Sequence, residues 1–225
     1  MADLPTGTVT FLFTDVEGST WLWEQHPETM RQALVRHDAI VEQEVAAHGG
    51  VVVRPRGEGD SRFAVFARAS DAVVATVAIQ MALHAEPWPV ETPLRVRMAL
   101  HTGEADLRDG DYYGSAVNRC ARLRAIAHGG QGLLSRATYD LVRDGLPAPV
   151  GLRDLGEHRL SDLARAEQVY QLLHPSLPAD FPPLRTGDRP RSNLPLPLTG
   201  FIGRERETAG IIERLASGQT RLLTL

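Results

Sequence analysis

Leu94-Arg95-Val96-Arg97-Met98-Ala99-Leu100 sets Leu94, Val96, Met98 and Leu100 on one side of an extended chain and Arg95 and Arg97 on the other. Alternation with a period of two is the pattern of a strand that presses one face on a core. A strand whose second face carries arginines does not suit a parallel sheet buried on both sides; it predicts an antiparallel sheet covered by helices on one face.

Working outward, 71–86 is rich in Ala and Val and reads as a helix stopped by Pro87-Trp88-Pro89. Before it, Val51-Val52-Val53 and Phe63-Ala64-Val65-Phe66 read as the arms of a β-hairpin. Residues 27–48 carry Met30, Leu34, Ile40, Val41 and Val45 at near-helical spacing and end at Gly49-Gly50. Residues 8–14 alternate Val9, Phe11 and Phe13 with Thr8, Thr10 and Thr14, a half-buried strand. The order β-α-β-β-α-β predicts an α+β, ferredoxin-like fold whose far sheet face is free for a ligand or a partner subunit. A helix at about 115–127 and a strand-helix unit from Gly132 to Arg143 extend this domain, which spans 1–173.

From Pro175 to Pro197 lie seven of the fifteen prolines, so 174–199 reads as an extended linker. Residues 200–225 read as a helix and a strand on which the chain stops, too little to bury a core. They resemble the opening of the P-loop ATPase domains of large bacterial transcriptional regulators, and the tail reads as a truncated junction. No Gly-x-x-x-x-Gly-Lys-Ser/Thr follows, so no second nucleotide site is expected there.

A net charge of −4 gives no support for binding nucleic acid directly. No apolar run reaches spanning length, and Met1-Ala2-Asp3-Leu4-Pro5 lacks the marks of a leader, so a cytoplasmic location without membrane contact is expected. One cysteine, Cys120, cannot form an internal disulfide and reads as a small helix residue. The chain contains no lysine, so every fixed basic side chain is arginine.

Two acidic turns carry the chemistry. Asp15 ends the apolar run Phe11-Leu12-Phe13 and opens Val16-Glu17-Gly18-Ser19-Thr20, a turn into a helix where backbone N–H groups can hold phosphate oxygens. Asp60 sits in Arg56-Gly57-Glu58-Gly59-Asp60-Ser61, at the hairpin turn, where a short carboxylate can project toward the same point. Hard oxygen ligands beside a phosphate cradle suit Mg²⁺ or Mn²⁺. Taken singly, each Asp reads better as a cap of its turn, and only the motifs downstream reverse that reading.

Further motifs follow in order: His101-Thr102-Gly103-Glu104, then Asp111-Tyr112-Tyr113-Gly114-Ser115-Ala116-Val117-Asn118-Arg119-Cys120-Ala121-Arg122, then Leu155-Gly156-Glu157-His158-Arg159-Leu160. With the two acidic turns, they resemble the class III adenylate and guanylate cyclases over about residues 6–173. The similarity is greatest to the actinobacterial type found in front of an ATPase and a helix-turn-helix regulator.

The resemblance implies conversion of ATP to 3′,5′-cyclic AMP and pyrophosphate by two divalent ions, Mg²⁺ or Mn²⁺. Asp15, Asp60 and the Val16 carbonyl would hold the metal, and the backbone from Val16 through Glu17, Gly18 and Ser19 to Thr20 the β- and γ-phosphates. Asn118 would orient the ribose and Arg122 would stabilise charge at the α-phosphate; four apart on a helix, they share a face. Arg56 and Asp111 would select the purine. Relatives specific for ATP carry lysine where Arg56 stands, and donor and acceptor counting leaves GTP open. Ser161 also stands where the family often has a lysine. The resemblance further implies a homodimer whose sites combine metal carboxylates of one chain with Arg56, Asp111, Asn118 and Arg122 of the other. Trp21 and Trp23 are open between that interface and packing within one chain. His101, at a strand end, reads as structural, and Arg95 and Arg97 on the open strand face read as solvent or dimer contacts. A second reading is a weakly active or inactive nucleotide-sensing or dimerising module of a transcriptional regulator, with an ATPase and DNA-binding region downstream.

Overall fold

The computed structural model describes residues 4–53, 59–89, 91–163 and 165–186. Arg56, Gly57 and Glu58, the linker beyond 186 and the tail at 200–225 lie outside the described residues. In chain order the elements are β1 (Thr8–Val16), α1 (Ser19–Gln25), α2 (Pro27–Ala47), β2 (Val51–Val53), β3 (Arg62–Phe66), α3 (Ala69–Ala85) and β4 (Val96–Glu104). Then come β5 (Asp106–Arg108), β6 (Asp111–Tyr113), α4 (Ser115–Ala125), β7 (Gly132–Ser135), α5 (Arg136–Val142), β8 (Gly151–His158) and β9 (Glu167–Leu173).

The principal sheet runs β2-β3-β1-β4-β7-β9-β8. Its first four strands have the antiparallel order of a ferredoxin-like unit, as the sequence pattern predicts. β7 joins β4 in parallel, and the β9–β8 pair completes the sheet. The fold is therefore α+β and mostly antiparallel. β4 starts later than the alternating stretch suggests and runs on to Glu104, because its partner β1 extends to Val16 and pairs with it from Thr8↔Glu104 to Val16↔Val96.

The helices occupy both faces of this sheet, which is where the structure departs from the one-sided covering read from the arginines. Below α1, α2, α3 and α5 lies a core that includes Leu12, Ile40, Val41, Phe66, Val73, Leu100 and Leu134. On the opposite face, α4 covers Phe11, Phe13, Val65, Ala99 and Leu133 with Val117, Cys120 and Leu123. Small side chains allow this. A Cβ on Gly103 would stand 2.9 Å from that of Ala116, and Ala99 and Cys120 are both fully buried at the seam. The Cys120 thiol donates weakly to the carbonyls of Phe11 and Ala99, and burial pushes its pKa up to about 12, so it is an inert packing residue.

The first part of the proline-rich segment does not leave the domain. Gln171 Nε2 donates to Ala179 O (2.7 Å), Arg153 Nη1 to the same carbonyl (3.0 Å), and the Arg185 N–H to Ile126 O (3.0 Å). Proline-rich backbone stays extended, yet its carbonyls remain good acceptors for side chains along the edge it crosses.

Candidate active site

β1 delivers Asp15 to the end of the sheet where the chain turns into α1. The carboxylate is 8% exposed and is surrounded by donors. Arg97 on β4 lies directly across in the β1–β4 register and makes a short ion pair with Asp15 Oδ2. Ser61 Oγ donates to Asp15 Oδ1 (3.3 Å), and Arg124 Nη1 from α4 stands 4.0 Å from the same oxygen. That nitrogen also donates to Ser61 Oγ (3.0 Å) and reaches Thr14 O (3.5 Å). Arg97 is thus held on Asp15 within the chain and not turned to solvent as the alternation suggested. Opposite charges on paired strands meet because their Cβ atoms stand side by side. Burial, and then the neighbouring Arg124 and Arg185, lower the Arg97 pKa from its ordinary value. Arg124 went unread because its neighbour Arg122 carries the motif, although the apolar stripe Ala116, Val117, Cys120, Leu123 already places residue 124 at the sheet.

Asp60 precedes Ser61 at the same end of β3, so the two acidic turns come together through the Ser61 hydroxyl. Asp60 Oδ2 is buried without a hydrogen-bond partner. An acceptor-only oxygen withdrawn from water without a donor is costly, and a hard cation satisfies it. Asp15, Asp60 and the Val16 carbonyl would make an all-oxygen donor set, and the orphaned Asp60 oxygen fits Mg²⁺ or Mn²⁺. Among the described residues, no group of three or more His, Cys, Asp or Glu gathers in a metal-holding arrangement.

The turn after Asp15 has Gly18 at φ 70°, a left-handed conformation that glycine adopts without strain, and no side chain caps α1. The Glu17 N–H already donates to Arg95 O (2.8 Å), which removes it from the phosphate donors expected between Val16 and Thr20. The N–H groups that open α1 have no intrahelical acceptor. Trp21 is 58% exposed at this turn, whereas Trp23 packs on the core within the chain.

Asn118 and Arg122 share the outer face of α4, and both are exposed. Arg122 Nη2 pairs with Asp162 at 2.7 Å. Two residues apart on a helix point about 200° apart, so Arg124 on Asp15 directs Arg122 away from it. Within one chain, Asn118 and Arg122 therefore do not reach the acidic turns. Asp111 opens β6 half-buried, with Oδ1 accepting the Tyr112 N–H (2.8 Å). Arg56 lies outside the described residues.

His101 sits beneath α4 with Nδ1 paired to Ser135 Oγ (2.8 Å). Burial, and then Arg119, lower its pKa from 6.5 to about 4. The unfolded chain takes up this proton near pH 6.5 and the folded chain only near pH 4, so stability falls as pH drops through that window. Urea unfolding at pH 7 and pH 5 is expected to show about 2 kcal/mol less acid loss in His101→Gln than in the wild type. An equal loss in both would assign the acid sensitivity to other groups.

A fold of this topology with two acidic turns at one sheet end is that of a nucleotidyl cyclase domain. The adenylate and guanylate cyclase catalytic domain model matches residues 1–172, and the chain belongs to that family. It is 49% identical over 204 residues to the uncharacterized protein Rv0891c of Mycobacterium tuberculosis, covering 90% of this chain and 69% of that protein. It is 32% identical over 190 residues to the adenylate cyclase of Neurospora crassa, covering 73% of this chain and 8% of that much longer protein. Among solved structures, a Trypanosoma brucei adenylate cyclase in its monomeric state superposes with a TM-score of 0.70 at 26% identity, over 80% of this chain and 95% of that one. An adenylate/guanylate cyclase/hydrolase from Silicibacter pomeroyi gives 0.63 at 28%, over 76% and 99%. Among the described residues, no helix is long and apolar enough to cross a membrane.

Proposed function

We propose that this chain converts ATP to 3′,5′-cyclic AMP and pyrophosphate at a site shared by two copies of itself. The observation that carries this reading is the separation on α4: Arg124 turns inward to Asp15 while Asn118 and Arg122 are presented outward. A motif set split between two directions is complete only when a second copy brings its α4 face to the acidic turns. A two-fold axis then generates two equivalent sites.

In the reaction, the ribose 3′-oxygen attacks the α-phosphorus, the bond to the bridging oxygen of pyrophosphate breaks, and the 3′-hydroxyl proton passes to solvent. Asp15 and Asp60 would hold divalent ions, which would supply Lewis-acid polarisation of the hydroxyl and neutralise charge on the phosphates. The N–H groups of Gly18, Ser19 and Thr20 receive the β- and γ-phosphate oxygens. Asn118 of the second copy orients the ribose. Arg122 exchanges Asp162, an exposed partner held weakly, for the charge that grows on the α-phosphate. Asp111 accepts from the adenine amine, and Arg56 is the second residue assigned to purine selection. The relatives named adenylate cyclases favour ATP over GTP. The tail at 200–225 fits a connection to a downstream ATPase and DNA-binding region.

The test is incubation of the purified chain with ATP or GTP and Mn²⁺, with product resolved by mass. Cyclic AMP from ATP is the expected result. Cyclic GMP from GTP with no cyclic AMP from ATP would overturn the substrate assignment, and no product from a folded dimer would leave the nucleotide-sensing module as the function.

A further inference from the structure

Glu17 is the residue of the acidic turn whose side chain faces away from Asp15, toward the C-terminal segment. There Arg185 Nη2 makes a short ion pair with Glu17 Oε1. The segment carrying Arg185 is fixed by other means: its N–H donates to Ile126 O (3.0 Å), His128 Nε2 donates to Pro183 O (3.0 Å), and Leu184 packs against the core under α4. Arg185 is thus delivered to Glu17 by a strap that does not need the ion pair to stay in place. The turn itself has fewer supports. Between the turn and the strap lies a cavity of about 550 Å³ lined by Glu17, Arg95, His128, Phe181 and Arg185, so no packed atoms prop it from that side. Gly129 closes the last direction: a Cβ there would meet Arg95 Cβ at 2.5 Å and Glu17 Oε2 at 2.7 Å.

We propose that Arg185 is a positioning residue for the phosphate turn: by holding Glu17, it fixes where the N–H groups of Gly18, Ser19 and Thr20 point. This rests on the reading of that turn as the triphosphate site. The side chains of the pair are 25% and 45% exposed, so it adds little to global stability, and its effect lies in the placement of one turn.

The measurement is hydrogen exchange of the full chain followed by mass spectrometry on the peptide covering 16–21, together with KM and kcat. Arg185→Ala is expected to speed exchange in that peptide and to raise KM about two- to fivefold with kcat nearly unchanged. Arg185→Lys should restore most of both, and Arg185→Ala combined with Glu17→Gln should be no worse than either alone, since both remove one contact. Wild-type exchange in Arg185→Ala, or effects of the two substitutions that simply add, would overturn the inference. Exchange needs no turnover: faster exchange in a chain that makes no cyclic nucleotide would uphold the strap and reject the cyclase reading alone.

Discussion

Asp15→Ala is expected to lower cyclic-nucleotide formation by about 10²–10³-fold, the scale of removing one preorganised electrostatic group from a reacting centre. The same substitution leaves Arg97 partly buried without its carboxylate. Asp15→Asn, which keeps the shape and a hydrogen-bond acceptor, is therefore the companion that separates chemistry from folding. Arg122→Ala should lose a similar factor with little cost to the fold, because its side chain is about half exposed and pairs with the exposed Asp162. Neither variant alone should recover activity. Mixed in equal amounts and allowed to exchange subunits, half of the dimers are mixed and each holds one intact site of two, so about a quarter of wild-type activity should return. Mixed dimers that stay silent would place all the catalytic groups within one chain.

Phe11→Ala is the substitution with the largest expected cost in stability, about 3–5 kcal/mol. Phe11 is fully buried at the middle of β1. Its ring meets Tyr112 edge-on at 5.4 Å and lies 5.7 Å from Phe63. Tyr112 follows Asp111 and Phe63 lies on the strand that carries the Asp60 turn, so a cavity here also loosens the elements that aim two of the candidate site residues. A urea midpoint that drops with an unchanged slope is the expected record of a lost contact. A shift below 1 kcal/mol would mean that α4 collapses into the space.

The first half of the fold was legible because each of its elements buries one face: the threonines alternating with Val9, Phe11 and Phe13, and the apolar positions of α2, state their periods directly. β8 was not, since Gly151–His158 is a half-exposed edge strand without alternation and its place depends on β9 alone. The second covered face was hidden by Arg95 and Arg97. An arginine on a strand reads as solvent-facing until the register shows that Asp15 stands across from it. Asp15 and Asp60 stood out only in the company of the later motifs, because a carboxylate in a Gly-flanked turn is more simply a cap. The arginine and serine partners of Asp15 stand 46 to 109 positions away, separations that no local pattern encodes. The docking of the proline-rich segment is likewise a matter of acceptors meeting Gln171, Arg153 and His128, side chains that carry no sign in the sequence of what they will hold.

Asp15 between Arg97 and Arg124 changes how the site depends on its supply of ions. The carboxylate is charge-balanced before any cation arrives, so the folded chain does not need metal in order to keep its acidic turns together. On the proposed reading of this turn, an incoming divalent ion would have to compete with two tethered guanidiniums, Arg97 and Arg124, whose local concentration never falls, and such a centre would fill only as the free ion concentration rises.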